Sequence, residues 1–373
     1  MTRCSAEPLL SSNSADVRDV FGAPLAPLTT MRVGGPAERL VTAASTDELV
    51  DAVREVDDAG EPLLIVSGGS NLVIADSGFP GTVVRVASGG IRVESVDACS
   101  GATVRVAAGV PWDSFIVRAV AEGWSGIEAL SGIPGCVGST PIQNVGAYGQ
   151  EVSETIAQVR VWDRDLGAVR TLSAADCGFG YRDSAFKRSA GRQLVLDVVF
   201  QLPLGELSGP VRYADLASAL GVAEGDRAPL GEVRDAVLGQ RRRRGMVLEE
   251  SDHDTWSCGS FFTNPVLTPT DFAALVARAA QRLGPDAPSI PHWDTPQGVK
   301  TSAAWLIEQA GFGKGFGMPG PAALSTKHTL AVTNRGAATA ADVVALARRV
   351  RDGVREAFGL VLVNEPILIG IDL

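Results

Sequence analysis

Three tyrosines, at 148, 181 and 213, stand against twelve phenylalanines in this chain of 373 residues. A phenol kept where a phenyl would pack equally well points to a task for the hydroxyl. Beside one of them, in Gly180-Tyr181-Arg182-Asp183, Arg182 offers a planar fork that suits a carboxylate, an ordinary surface ion pair being the alternative. In Gly259-Ser260-Phe261-Phe262-Thr263-Asn264-Pro265, a small hydroxyl is pinned between a glycine and two rings that could exclude water. A turn or cap serine is the plainer reading of Ser260 alone. Between Ser131 and Gly149, glycines at 132, 135, 138, 146 and 149 and prolines at 134 and 141 rule out a continuous helix or central strand. Such a loop is either an elaborated turn or a concavity whose backbone N–H groups approach phosphate oxygens. A second glycine loop, Ser67-Gly68-Gly69-Ser70-Asn71, follows the apolar run Leu63-Leu64-Ile65-Val66. Two such loops in one half of the chain suit one long diphosphate ligand.

Other chemistries find little support. The match to G-x-G-x-x-G at Gly315–Gly320 follows a helical pattern and contains Pro319, unlike a dinucleotide-binding strand-turn-helix. Histidines 253, 292 and 328 are too widely spaced to suggest a metal site. Cys258 precedes the Ser260 segment, yet no nearby histidine pattern would activate it. The five cysteines, at 4, 99, 136, 177 and 258, form no C-x-x-C pair and read as free thiols of a reducing compartment. A net charge of −10 argues against general nucleic-acid binding, the one dense basic run being Arg241–Arg244. With no signal-like start and no long apolar run, a soluble cytoplasmic protein is expected.

The elements that must position these residues are legible in outline. With 45% hydrophobic residues, the chain is long enough for two or three cored domains. The first residues, to about Ala23, read as frayed, and 28–33 as extended. Ser45-x-x-Glu48 opens a helix over 46–58, flanked by strands at 39–43 and 62–66. Short alternating runs at 83–86, 91–93 and 104–106 read as antiparallel strands, and a helix over 112–122 leads into the long glycine loop. Strands follow near 157–163, 168–172 and 194–202, then helices at 229–243, 269–283, 301–310 and 340–358. The arginine run at the end of the 229–243 helix also complements its dipole, so a solvated helix terminus is a bland reading of it. The segment from 360 to 371 reads as a strand that docks on an earlier sheet.

Ile133-Pro134-Gly135, Asn144-Val145-Gly146-Ala147-Tyr148-Gly149, Phe179-Gly180-Tyr181-Arg182-Asp183-Ser184, Gly259 to Pro265, and Asn364-Glu365-Pro366, in register with Ser67–Asn71, resemble the UDP-N-acetylenolpyruvoylglucosamine reductase family over residues 25–373. Tyr213, in Arg-Tyr-Ala-Asp-Leu, resembles the subgroup with an extra tyrosine loop. The resemblance implies an α+β fold of three domains. Two of them, 1–88 with a C-terminal return over 360–373 and 89–245, form an FAD-binding unit of the vanillyl-alcohol oxidase type. Residues 246–359 form a substrate domain. It implies NADPH as reductant of the FAD, and reduction of the enolpyruvyl group of UDP-N-acetylglucosamine enolpyruvate to UDP-N-acetylmuramate in peptidoglycan precursor synthesis.

The same resemblance gives residue roles. FAD contacts fall on Ser67, Gly68, Gly69, Ser70, Asn71, Leu72, Ile133, Pro134, Gly135, Gly138, Gln143, Asn144, Gly146, Ala147 and Tyr148. Substrate contacts fall on Tyr181, Tyr213, Arg244 and Asn264. Arg182 would stabilise an enolate-like intermediate, Glu365 would lie at the substrate carboxylate, and Ser260 would supply the proton. A glutamate in an apolar strand should be pushed toward its neutral form by desolvation. No metal, nucleic acid, membrane or obligate protein partner is implied. Against this stand another flavin oxidase or dehydrogenase of the same fold type and a nucleotide-binding module without catalysis.

Overall fold

The computed structural model describes residues 19–284 and 288–373. Cys4 and most of the segment expected to fray lie outside the described residues. The rest of that segment contains a strand, Asp19–Phe21, which pairs antiparallel with Arg39–Val41.

The first layer is a four-stranded sheet in the order Asp19–Phe21, Ala37–Ala43, Phe79–Val86, Leu63–Val66. Phe79–Val86 runs parallel to both of its neighbours. This corrects the antiparallel expectation for 83–86. Val83 and Val84 are both fully buried, and consecutive buried residues mark a strand covered on both faces, as parallel strands are. The crossover helix Thr46–Ala59 starts where Ser45 accepts from the Glu48 N–H and ends at Gly60 in the left-handed region. It buries Leu49, Val53 and Val56, each contributing about 1.5–3 kcal/mol.

The second sheet is antiparallel throughout, in the order Ala168–Ser173, Ile156–Asp163, Gln193–Leu202, Gly101–Ala107, Ile91–Asp97. On its central strand Asp197 is 3% exposed and is held by Arg105 at 2.6 Å and Arg160 at 2.5 Å. The helix Trp112–Ala121 packs Trp112 and Phe115 on Phe200 of that strand. Leu49, Val53 and Val84 of the first layer share this core, so the two sheets face each other across one apolar interior. A helix pair, Ala214–Leu220 and Leu230–Arg243, closes over Ala129 and over Tyr148 of the glycine stretch.

The last layer packs Pro269–Leu283, Ala303–Gln309 and Ala340–Phe358 around a second core with Phe261, Phe262 and Phe358. Two hairpins accompany them, 292–295 with 298–301 and 322–324 with 332–334. The expected terminal strand shortens to Ile367–Ile369, because Pro366 lacks an N–H to donate, and it pairs parallel with Leu72–Ile74. The end of the chain thus returns to the rim of the first glycine loop. The extended segment expected over 28–33 is instead a helical turn, Ala26–Leu28, followed by a bend with Arg32 at φ +57°.

Candidate active site

The two glycine loops abut. A Cβ on Gly68 would lie 2.4 Å from the Gly135 Cα, and one on Gly69 would lie 1.9 Å from the Leu28 carbonyl oxygen, so only glycine lets these backbones meet. Among the described residues, the consecutive N–H groups of Gly68, Gly69, Ser70 and Asn71 donate to no other group of the chain, nor do those of Gly135 and Cys136 facing them. Buried or half-buried donors need acceptors, and a run of free N–H groups is a concavity fitted to anionic oxygens. Ser67 Oγ is sealed from solvent and finds no good hydrogen-bond acceptor among the described residues, with the Cys136 thiol nearby. These features fit a diphosphate-bearing cofactor.

Three separate segments converge on Glu365. Its carboxylate lies 3.2 Å from Arg182 Nε, and Arg182 also donates to the Gly146 carbonyl at 3.0 Å. The Glu365 N–H donates to the Phe261 carbonyl at 2.9 Å, which puts Ser260 one residue from that bond. The Asn71 side chain donates to the Glu365 carbonyl at 3.2 Å. The first glycine loop, the arginine loop and the serine segment therefore meet at Glu365, and the second glycine loop joins them through Arg182. Burial pushes the Glu365 carboxyl above the ordinary carboxylate range, opposed by the nearby Arg182 and Lys187 cations.

Backbone strain gathers here as well. Among the described residues, four that are not glycine have positive φ, and three of them, Asn144 at +44°, Tyr148 at +49° and Arg182 at +52°, belong to this site. Two side chains that sequence reasoning did not single out for the task hold that geometry. Lys187 donates to the Arg182 carbonyl at 2.8 Å. Asn144, 1% exposed, donates to Glu151 at 2.7 Å and to the Gly180 carbonyl at 3.1 Å, tying the glycine stretch to the Tyr181–Arg182 loop. Its side chain is thus a brace within the protein, leaving its backbone for any ligand contact.

Phe261 and Phe262 are 0% and 1% exposed, packed edge to face in the second core directly after the half-buried Ser260. Around the mouth, Tyr148 and Tyr213 meet edge to face at 6.0 Å. Arg244 bonds Asp215 at 2.9 Å and approaches the Tyr148 hydroxyl at 3.5 Å. Tyr181 and Tyr213 are about half exposed, at 45% and 52%. Asn264 accepts from the Ala303 N–H at 3.0 Å, so its carbonyl serves the start of a helix and its amide NH2 is left for a ligand. Lys300, in the 298–301 strand, stands 3.6 Å over the Tyr181 ring. It was missed, since nothing in its neighbourhood along the chain marks it. In the 325–328 segment, Ser325 is buried and accepts from the N–H groups of Lys327 and His328, while Thr326 and Lys327 bond Asp254 and Asp252. His328 remains, its imidazole pushed below the ordinary range by burial and by the Arg244 and Lys314 cations.

Comparison with known proteins places this geometry. The chain is 57% identical over 350 residues to the UDP-N-acetylenolpyruvoylglucosamine reductase of Thermobifida fusca, covering 94% of this chain and 98% of that one. The chain belongs to this reductase family. The reductases of Streptomyces coelicolor and Mycobacterium marinum are 54% and 50% identical, over 377 and 371 residues. The first covers 100% of this chain and 96% of its own, the second 96% and 97%. Residues 37–173 match an FAD-binding domain and residues 250–369 the C-terminal domain of UDP-N-acetylenolpyruvoylglucosamine reductase. A crystal structure of the reductase from Thermus caldophilus superimposes with a TM-score of 0.61 at 26% identity, covering 95% of this chain and 99% of that one.

As a member of this reductase family, the protein is an FAD-containing oxidoreductase acting on a small molecule with NADPH as reductant, and its fold is the expected α+β arrangement. The FAD-binding match spans both glycine loops, and the C-terminal match spans Ser260 and Glu365. Among the described residues, no helix is long and apolar enough to cross a membrane. The described cysteines, 99, 136, 177 and 258, are free thiols, and burial pushes Cys258 up to about 12, which makes it a poor nucleophile.

Proposed function

We propose that the protein reduces the enolpyruvyl group of UDP-N-acetylglucosamine enolpyruvate to UDP-N-acetylmuramate in peptidoglycan precursor synthesis, in the cytoplasm. The convergence of Arg182, Glu365 and the Ser260 segment beside a cradle of free backbone N–H groups carries this reading. Ser67–Leu72, with Ile133, Pro134, Gly135, Gly138, Gln143, Asn144, Gly146, Ala147 and Tyr148, would hold the FAD. When bound and reduced by NADPH, the FAD supplies the hydride that the enolpyruvyl double bond accepts.

The remaining work belongs to the chain. Arg182, fixed by Gly146 and Glu365, presents its fork to the substrate carboxylate, where negative charge grows as the double bond is reduced. Burial favours the neutral form of Glu365 and an incoming carboxylate would favour it further; protonated, this side chain would donate a hydrogen bond where an ionised one would repel. Ser260 delivers the proton to the carbon that bears the carboxylate. Serine is a weak acid, and its use there rests on the water-excluding rings of Phe261 and Phe262 and on the cations nearby. Tyr181, Tyr213, Arg244 and Asn264 face the sugar nucleotide, Arg244 taking the diphosphate.

The division into 1–88 with 360–373, 89–245 and 246–359 fits this account. It leaves the cofactor between the first two units and brings the third over it. The purified protein should be yellow, bleached by NADPH without oxygen and recoloured by the enolpyruvyl sugar nucleotide. A colourless protein, or turnover with oxygen in place of that substrate, would favour a binding module or an oxidase instead.

A further inference from the structure

Arg244, placed above at the diphosphate of the sugar nucleotide, is engaged by the chain itself. Its Nη2 meets the Asp215 carboxylate at 2.9 Å, and its Nη1 lies 3.5 Å from the Tyr148 hydroxyl. Arg244 caps the C-terminal end of Leu230–Arg243, and Asp215 lies in the first turn of Ala214–Leu220. The pair therefore bridges the two helices that close over Tyr148. A carboxylate offers a guanidinium the same paired anionic oxygens that a phosphate does, so Asp215 is a mimic of the group expected to bind there.

Two features make that carboxylate displaceable. The main chain of Asp215 is held without it: Gln240, 9% exposed on the longer helix, donates to the Asp215 carbonyl at 3.0 Å. The helix turn around it is closed by the Leu216 and Ala217 N–H groups, which both donate to the Tyr213 carbonyl. The side chain can thus leave Arg244 with its helix intact, and among the described residues it makes no other hydrogen bond. The pair is also open to water, the Arg244 and Asp215 side chains being 40% and 68% exposed. An exposed pair resists separation by a factor of about five or less. Another arginine of the same helix shows the contrast. Arg234, 15% exposed, clamps Asp113 through both terminal nitrogens at 2.7 Å, as a permanent brace should.

We propose, resting on the function proposed above, that Asp215 is a displaceable stand-in for the diphosphate. It holds the Arg244 guanidinium between turnovers, yields it to the entering sugar nucleotide and takes it back as the product leaves. Substrate and product carry the same UDP group, so a contact that binds one also retains the other. A carboxylate competing for the guanidinium weakens both by the same factor, which raises KM and shortens the stay of the product.

The test compares wild-type holoenzyme with Asp215→Asn and Asp215→Glu at low ionic strength. The readouts are the KM for the enolpyruvyl sugar nucleotide and the inhibition constant of UDP-N-acetylmuramate. Asp215→Asn should lower both by about two- to fivefold, the range that an exposed ion pair can oppose, and added salt should narrow the difference. Asp215→Glu, which keeps the charge, should lie nearer to wild type. In an Arg244→Ala background the gain should vanish, because no guanidinium is left to compete for. An unchanged or raised KM in the Asn variant would overturn the proposal and leave Asp215 as the residue that orients Arg244. A gain that persists beside Arg244→Ala would overturn it as well, marking general repulsion of the nucleotide. Should the Asn variant not fold, Asp215→Ser carries the same prediction. A wild type that does not reduce the enolpyruvyl sugar nucleotide would overturn the proposal together with the function on which it rests.

Discussion

Replacing Ser260 by alanine isolates the proton from the rest of the reaction. The backbone at this position is fixed without its hydroxyl: Phe261 donates to the Leu330 carbonyl at 2.8 Å and accepts from Glu365 at 2.9 Å, and Gly259 turns the chain at φ +72°. The change removes one half-buried oxygen beside two buried rings, so stability should move by no more than about 0.5 kcal/mol. Loss of a positioned general acid should slow the step it serves by roughly 10²–10⁴, or about 2.7–5.4 kcal/mol of barrier. Stopped-flow absorbance without oxygen separates the halves. Bleaching by NADPH should keep nearly its wild-type rate, while recolouring by the enolpyruvyl sugar nucleotide slows by that factor. Equal slowing of both halves, or of neither, would refute Ser260 as the donor.

Gly68→Ala forces a Cβ to within 2.4 Å of the Gly135 backbone, so the protein should purify with little flavin and a near-wild-type circular dichroism spectrum; full flavin content would contradict the loop-to-loop fit. Arg244→Ala should raise the KM for the sugar nucleotide more than it lowers kcat, and an unchanged KM would return Arg244 to a role as partner of Asp215. Glu365 carries a raised folded-state pKa, so relative to its unfolded state it favours folding below the ordinary carboxylate range and loses that contribution as pH rises through its folded value. Glu365→Gln should therefore be more stable than wild type in thermal melts near neutral pH, with the difference shrinking in acid, and a gap that widens in acid would reverse the sign of this reasoning.

Local signals carried most of the helices. Ser45 with Glu48, Gly60 and the heptad-like spacing of Leu49, Val53 and Val56 are short-range features, and the helix expected at 46–58 is observed at Thr46–Ala59. Strand direction was not local. Val83–Val86 reads as one more short strand, and only the partners chosen across the sheet make it parallel. Strands of three or four residues, such as Leu72–Ile74 and the 292–301 hairpin, leave too few residues for a period to register. In the site, Arg182, Ser260 and Glu365 were legible because unusual residue types stood in marked surroundings. The bracing contacts were not: Asn144, expected only as a cofactor contact, reaches Gly180 across 36 positions, and Lys300 reaches Tyr181 from another layer.

The central claim, that Arg182, Glu365 and Ser260 serve one reacting group over the flavin, is tested most directly by a crystal structure with FAD and the enolpyruvyl sugar nucleotide bound. The account predicts Ser260 Oγ within about 3.5 Å of the carbon to be protonated, on the side opposite the flavin, with Arg182 and Glu365 on the substrate carboxylate. A Ser260 Oγ facing away from that carbon, with the carboxylate held by other residues, would contradict it.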